Sequence, residues 1–506
     1  MIRPARPRAG ASRVLKGALF GVALLFPATY LVIAVARMGY PFEVEWVEGA
    51  VLESVQRVLH GLPLYARPSL AYVPLNYTPL YFYGSALFAK LLGESFLPLR
   101  LLSFLSSLGC FALIALLVRH ETRDRGAALL SVCLFAATYR LSGAWLDVAR
   151  ADSLYLLLLL GAIAALRLDP SPRRAPLASG ALFALAFLAK QSAVMIAAPV
   201  MLHTLLADRR RFPWLAASGV AITAGPALAL DRASGGWFRF YVFEVARGHA
   251  IDHGLIPVFW TTDLMGHLAI AVLLVALYFT LPRAGRARGA TGFYAFALAG
   301  LLASAWSLRL YRGGYDNVLI PACAGIAILF GLGWHEASAA LTQSPAVPGR
   351  ALRNLLGLAC LCQFVLLTYD PRHQIPTTAD RAAGEFILAA LRRAPGDVLV
   401  PSHGYLATRA GKPRAFHVMP LMDVLKSGRE PVASELSRAL DDSLRARHWS
   451  CIIVDNRDLL RDAAEVYYEP RWELLRDESV FWSLTGTHTR PQAIEAPREM
   501  PPGERP

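Results

Sequence analysis

The sequence predicts an all-α polytopic membrane protein of about 11–13 transmembrane helices, with juxtamembrane helices and a small C-terminal α/β domain. Three observations carry this. Of 506 residues, 55% are hydrophobic and 17% charged, against about 25% charged in a soluble domain. The charge deficit lies in apolar runs close to the roughly 20 residues that a spanning helix needs. The basic residues sit in short loops between those runs, as in RHETRDR, RLDPSPRR, ADRRRF and PRAGRARG. The mean hydropathy of +0.41 agrees.

The net charge of +14 therefore reads as cytoplasmic loop charge under the positive-inside rule, not as a nucleic-acid surface. The basic N-terminus, 1–13, is expected in the cytoplasm, followed by an uncleaved first helix reaching about Ala36. Further spans are expected near 98–118, 126–143, 152–167, 176–189, 191–207, 213–230, 264–281, 291–309, 315–334 and 352–369. Residues 14–369 thus form a transmembrane domain, with 37–97 as the first outer loop and 231–263 as a second outer segment. The apolar stretch 77–93 would reverse every later basic loop if it crossed, so it reads as juxtamembrane or re-entrant; the alternative is that one of the short later spans does not cross.

Val47, Val51, Val55 and Leu59 share one helical face and Glu53, Ser54, Gln56 and Arg57 fall elsewhere, which predicts an amphipathic helix in the membrane interface, ended by Gly61 and Pro63. The aromatic density of WFRFYVFEVARGH (237–249) also suits the headgroup region. Residues 370–490 differ in composition. GDVLVP (396–401) and SCIIVDN (450–456) read as strands and ASELSRALDDSLRAR (433–447) as a polar helix, which gives an outer α/β domain. The Pro-rich end, 491–506, is expected to be disordered. Of six cysteines, five (Cys110, Cys133, Cys323, Cys360 and Cys362) lie in apolar segments. They read as packing residues, and the spacing is not that of a zinc site.

Four stretches contain residues suited to chemistry. FEVEWVEG (42–49) puts Glu43, Glu45 and Glu48 within six positions where the chain leaves the first span. A carboxylate is ionised at neutral pH and can take a proton from an acceptor hydroxyl; acidic residues also simply favour a helix N-terminus. In WLDVARADSLYLLLL, Asp147, Arg150 and Asp152 open an apolar helix, where charges are costly unless paired or functional. The plainer account is that Asp152 caps the helix and Arg150 pairs with Asp147. Lys190, between two apolar spans, could hold a lipid-linked phosphate or snorkel to the interface. Arg309 and Arg312 could share that phosphate. His249, Asp252 and His253 are weak candidate ligands for a divalent metal, and an ordinary hydrated loop accounts for them better.

At these residues the chain resembles the integral-membrane GT-C glycosyltransferases. The likeness is strongest to the bacterial branch that includes RgtA/B/C/D-like enzymes, lipid A aminoarabinose transferase and protein O-mannosyltransferases. It runs from about Phe42 to Leu332. It is carried by the acidic first loop, HGLPLY (60–65), YTPLYFY (77–83), a G-x-S-x-x-x-x-R element (Gly93 to Arg100), ARADSLYLLL, the AKQS turn and GGYDNVLIP. The resemblance implies a GT-C fold in the plasma (inner) membrane, a polyprenyl-phosphate sugar donor and inverting transfer to a lipid, glycan or protein acceptor on the outer face. It implies a first-loop carboxylate as base, and Lys190 matches a family lysine, whereas Asn76 and Tyr77 stand where aminoarabinose transferase has a Glu-Lys pair. The residues themselves add the expectation that Lys190, Arg150 and Arg312 meet the donor phosphate, with Asp147, Asp152, Tyr77 and Tyr81 in support. The family's usual Asp-Glu pair is absent: Val47 precedes Glu48, which leaves Glu45 as the nearest replacement. Two rivals stand beside this reading: a transporter or lipid flippase, which should show inverted repeats, and an inactive assembly partner with the same fold.

Overall fold

The computed structural model describes residues 9–248, 250–281, 288–311, 313–343, 349–455 and 460–498. The first nine helices are α1 (Ala9–Met38), α2 (Glu48–Leu59), α3 (Leu80–Leu92), α4 (Phe96–Thr122), α5 (Arg125–Ala137), α6 (Asp152–Leu168), α7 (Arg174–Ala189), α8 (Ala193–Ala207) and α9 (Phe212–Ala233). Gly266–Thr280, Arg288–Arg309, Ile320–Gln343 and Gly349–Leu366 complete the apolar set. Each expected span has a helix. Among the described residues, seven segments are long and apolar enough to cross a membrane by length and composition.

The helix Ile320–Gln343 lies at the centre, and 89% of its most apolar window is buried. Its neighbours approach closely because the contact residues are small, the usual device where no hydrophobic effect drives helices together. A Cβ on Gly333 would stand 2.0 Å from the Leu274 carbonyl oxygen, and one on Gly331 would meet Ser131. Helix α9 is the opposite case: it packs on α7, where a Cβ on Gly180 would meet Ser218 and the Leu215 carbonyl, but of its residues only Leu215 is buried. The span expected over 126–143 stops at Ala137. Beyond it Gly143 and Ala144 take φ values of +75° and +55°, and this turn directs Trp145, Asp147 and Arg150 inward.

Helix α2 forms where expected but is not interfacial. Glu53, placed on the polar face by periodicity, is 4% exposed, because the C-terminal domain covers that face. Thr408 donates to Glu53 at 2.9 Å and Arg414 donates to Gln56 at 3.1 Å. The aromatic segment, described as far as Gly248, is likewise covered by protein over its apolar residues: a short helical turn, Trp237–Arg239, runs into a π-helical stretch, Phe240–Val245. Phe238, Tyr241 and Val245 are buried in the same apolar cluster as α2, α3 and the C-terminal domain. The first outer loop and the C-terminal domain therefore share one core. Helix α3 has 13 residues, too few to span a bilayer, and packs between α2 and α4.

The C-terminal domain contains a four-stranded sheet in the order β1-β2-β4-β3, with β1 Val398–Leu399, β2 Cys451–Asp455, β3 Tyr468–Glu473 and β4 Pro491–Pro497. Strand β1 is parallel to β2, Val398 facing Cys451. Strand β4 is antiparallel to both neighbours, with Ile494 facing Ile453 on one side and Trp472 on the other. The expected disordered end thus begins too early: residues 491–497 fill an interior strand position despite their prolines. Those prolines stand at the first and last residues of the strand, where a missing N–H costs least. The described cysteines are free, and Cys362 is exposed rather than packed.

Candidate active site

After α1 the backbone folds back on itself, and the three first-loop glutamates face three different partners. Glu48 opens α2. Arg100 of α4 meets it at two points, Nη2 at 2.6 Å and Nε at 3.0 Å, and the backbone N–H groups of Val44 and Ala149 donate to it at 2.7 and 2.6 Å. Burial alone would push its pKa up, but Arg100 and these donors hold it below the ordinary carboxylate value. Arg100 spends its remaining hydrogens on the carbonyls of Arg37, Tyr40 and Phe42. The pair pins the loop to α4 and leaves no Glu48 oxygen free.

Glu43 faces the C-terminal domain. It accepts from Gly49 N–H at 2.8 Å and meets His403 Nδ1. On the other side of the ring, His403 Nε2 lies 3.0 Å from Asp455, which also accepts from Thr489. Burial pushes Glu43 up to about 8 against the pull of His403. Burial works against the His403 charge, yet Asp455 and Glu43 raise the imidazole to about 10. Nearby His417 is pushed down to about 4 by burial and by His403. The His403 bridge joins residues 360 apart in sequence.

Glu45 is different. Its Oε2 lies 2.8 Å from Arg150 Nη1 and accepts from Val47 N–H at 3.2 Å. Its Oε1 is buried without a hydrogen-bond partner. Burial pushes Glu45 up to about 7, with Arg150 opposing. Arg150 also donates to Tyr77 Oη at 2.7 Å and its guanidinium lies over the Tyr77 and Trp145 rings. Two residues further, Asp152 accepts from Lys190 Nζ at 2.6 Å and from Asn317 at 3.0 Å. Lys190 stands at the end of α7 with its side chain 18% exposed. The neighbouring Gln191 reaches the Asn76 and Val242 carbonyls.

The plainer account of Asp147, Arg150 and Asp152 does not match this geometry. Asp147 pairs with Arg37 at 3.3 Å and accepts from Tyr139, while Arg150 turns to Glu45. Ala151, not Asp152, is the N-cap of α6. Tyr81 also lies apart from the carboxylates, donating to the Leu99 carbonyl and touching Ser103. Arg309 is taken up by Asp263 and Asp316, whereas Arg312 and His249 fall outside the described residues. Asp252 accepts from Gly254 N–H in a local turn and His253 is exposed. Among the described residues no group of three His, Cys, Asp or Glu side chains is placed to hold a metal.

Sequence reasoning did not single out Arg37, His403, Asp455, Asn317 or Trp46. Arg100 and Asn317 were within recognised motifs, but nothing local indicated their partners. His403 follows a strand-like run as a lone histidine, and no periodicity links it to Glu43.

A family model described as dolichyl-phosphate-mannose-protein mannosyltransferase matches residues 76–230, the segment that holds Tyr77, Arg150, Asp152 and Lys190. No curated protein matches the sequence. Among solved structures, the chain is similar to ArnT from Cupriavidus metallidurans bound to undecaprenyl phosphate, with a TM-score of 0.62 at 14% identity over 94% of this chain and 98% of that one. The apo state of the same protein gives 0.60 at 12% identity, with the same coverage. The Archaeoglobus fulgidus oligosaccharyltransferase tethered to an acceptor peptide gives 0.50 at 12% identity, over 88% of this chain and 72% of that one. This multi-pass membrane chain has the GT-C fold, the architecture of the integral-membrane glycosyltransferases.

Proposed function

We propose that the chain transfers a sugar from a polyprenyl-phosphate carrier to an acceptor at the outer face of the plasma (inner) membrane, with inversion. Glu45 is the base. The observation that carries this is its divided carboxylate: Arg150 holds Oε2 and orients the group, while Oε1 remains free to take a proton. A buried carboxyl raised to about 7 is matched to general-base work near neutral pH. Glu48 and Glu43 lack this freedom, since each oxygen of both is engaged.

In the proposed reaction the acceptor gives a proton to Glu45 as its nucleophilic atom attacks the anomeric carbon. The bond from that carbon to the phosphate oxygen breaks, and the electron pair leaves with polyprenyl phosphate. Lys190 and Arg150 stand where they can meet that anion, Lys190 exchanging part of its contact with Asp152 for the phosphate. The undecaprenyl phosphate bound by the similar ArnT supports a carrier of this class. The acceptor is a lipid, glycan or protein.

The test is transfer of label from radiolabelled polyprenyl-phosphate sugars to membrane acceptors by purified protein in lipid. Wild type should transfer and Glu45→Gln should not, with both folded to the same melting temperature. Equal transfer by the two would remove Glu45 from the role of base.

A further inference from the structure

Two buried polar atoms without partners stand beside each other in the first loop: Glu45 Oε1, an acceptor, and Trp46 Nε1, a donor. Glu45 is fully buried and Trp46 is 8% exposed. Both face Gly486, in a loop of the C-terminal domain laid along the first loop. Leu484 N–H donates to the Val44 carbonyl at 2.9 Å, Thr485 pairs with Glu45 as an isolated bridge, and Thr485 Oγ1 donates to the Gly143 carbonyl. A Cβ built on Gly486 would lie 2.7 Å from Glu45 Oε1 and 3.2 Å from Trp46 Nε1. Those are hydrogen-bond distances for an oxygen atom at that point. The same Cβ would be 2.7 Å from Trp46 Cδ1, so a side chain at position 486 would close the space.

We propose that Glu45 and Trp46 together form a subsite for an acceptor hydroxyl, and that Gly486 caps it until the acceptor enters. The inference rests on the transferase reading above and deepens it by assigning the acceptor chemistry. An alcohol oxygen carries one hydrogen and two lone pairs. The hydrogen points to Glu45 Oε1, one lone pair accepts from Trp46 Nε1–H, and the other is left to attack the anomeric carbon. An amide or amine nitrogen does not meet this pattern, since it has no second lone pair for the indole N–H. Trp46 thus selects oxygen over nitrogen and fixes the direction of attack. Its indole is held for this by His417, whose ring centroid lies 5.5 Å away and whose Nε2 meets the Trp46 carbonyl at 3.3 Å.

Gly486 and the acceptor cannot occupy the point together. The Cα must withdraw by about 2 Å, since carbon in contact needs about 3.5 Å and the point is one bond length away. With φ at +78° the position is one that glycine adopts without strain.

The experiment follows label from radiolabelled polyprenyl-phosphate sugars into membrane acceptors, varying donor and acceptor concentrations separately. The linkage atom in the product is read by mass spectrometry. Wild type should give an O-glycoside. Trp46→Phe, which keeps an aromatic ring but removes the indole donor and some ring volume, should raise the acceptor KM or lower kcat by about tenfold and leave the donor KM unchanged. Gly486→Ala, at a separate point in the chain, should have the same signature, and it decides the matter if Trp46→Phe does not fold. An N-linked product, or an active wild type with both variants unaltered, overturns the subsite while the transferase reading stands. A change in donor and acceptor KM alike marks general damage and also overturns it. Folded wild type that transfers nothing overturns the transferase reading, and the subsite with it.

Discussion

Arg100 and Glu48 form a closed, two-point ion pair between α4 and the first residue of α2, with both side chains no more than 1% exposed. Every remaining hydrogen-bonding direction of the pair is filled by backbone of residues 37–44 or by Ala149. Its role is to fix the path of the first loop, upon which the placement of Glu45 depends.

Breaking such a pair leaves an uncompensated buried charge, which costs about 3–5 kcal/mol. Arg100→Leu and Glu48→Gln are therefore expected to lower the melting temperature in detergent or lipid, and to lose activity in proportion to lost fold. If Glu48→Gln kept wild-type stability while activity vanished, Glu48 rather than Glu45 would be the base.

Glu45 gives a prediction in pH. A base must be ionised, and burial holds this carboxyl up at about 7. The rate should rise with pH through about 7 and level off above it. Arg150 lowers that value, so Arg150→Met should move the rising limb to higher pH as well as weaken donor binding. A limb near pH 4.5 in wild type, or one that stays put in Arg150→Met, would count against the assignment. In either protein Glu45→Gln should cost about 100- to 10,000-fold in rate.

The helices were legible in sequence because apolar length is a local property, and so was the stretch around the carboxylates. Their partners were not. Glu43 meets His403, Glu48 meets Arg100 and Glu45 meets Arg150 across 360, 52 and 105 residues respectively, separations that no periodicity encodes. The α2 face carrying Glu53 read as lipid-interfacial because composition cannot tell a headgroup region from a protein surface that is equally mixed. Strand β4 was hidden by its prolines, which signal disorder unless their place at the strand ends is known.

Lys190 yields a separable kinetic prediction. Its ammonium is partly exposed and shares one Asp152 oxygen with Asn317, so it is held in place without being sealed off. Lys190→Met should raise the donor KM by about 10- to 100-fold, the range for a charge-assisted hydrogen bond, and leave the acceptor KM alone. Lys190→Arg should restore part of the loss. A donor KM unchanged in Lys190→Met would assign the lysine to helix packing.

The His403 bridge predicts how the C-terminal domain responds to pH. The folded imidazole is held at about 10, above its ordinary 6.5. Its stabilisation is complete below about 6.5 and is lost as pH rises through about 10. Glu43 works in the same sense: its folded value near 8 lies above the ordinary 4.5, so its contribution also fades as pH rises through about 8. Neither His417, held neutral with its value near 4, nor the hydroxyl of Thr489 supplies a replacement charge. Contact between the C-terminal domain and the first loop should therefore loosen between pH 7 and 10, seen as faster limited proteolysis between residues 400 and 490. Low pH should not loosen it by this route, since neither group loses its proton there. In His403→Gln the imidazole's share of the pH dependence is gone and only that of Glu43 remains, so cleavage should start faster at pH 7 and rise less steeply with pH than in wild type. If wild type and His403→Gln showed the same pH dependence of cleavage, the bridge would not be what holds the domain to the loop.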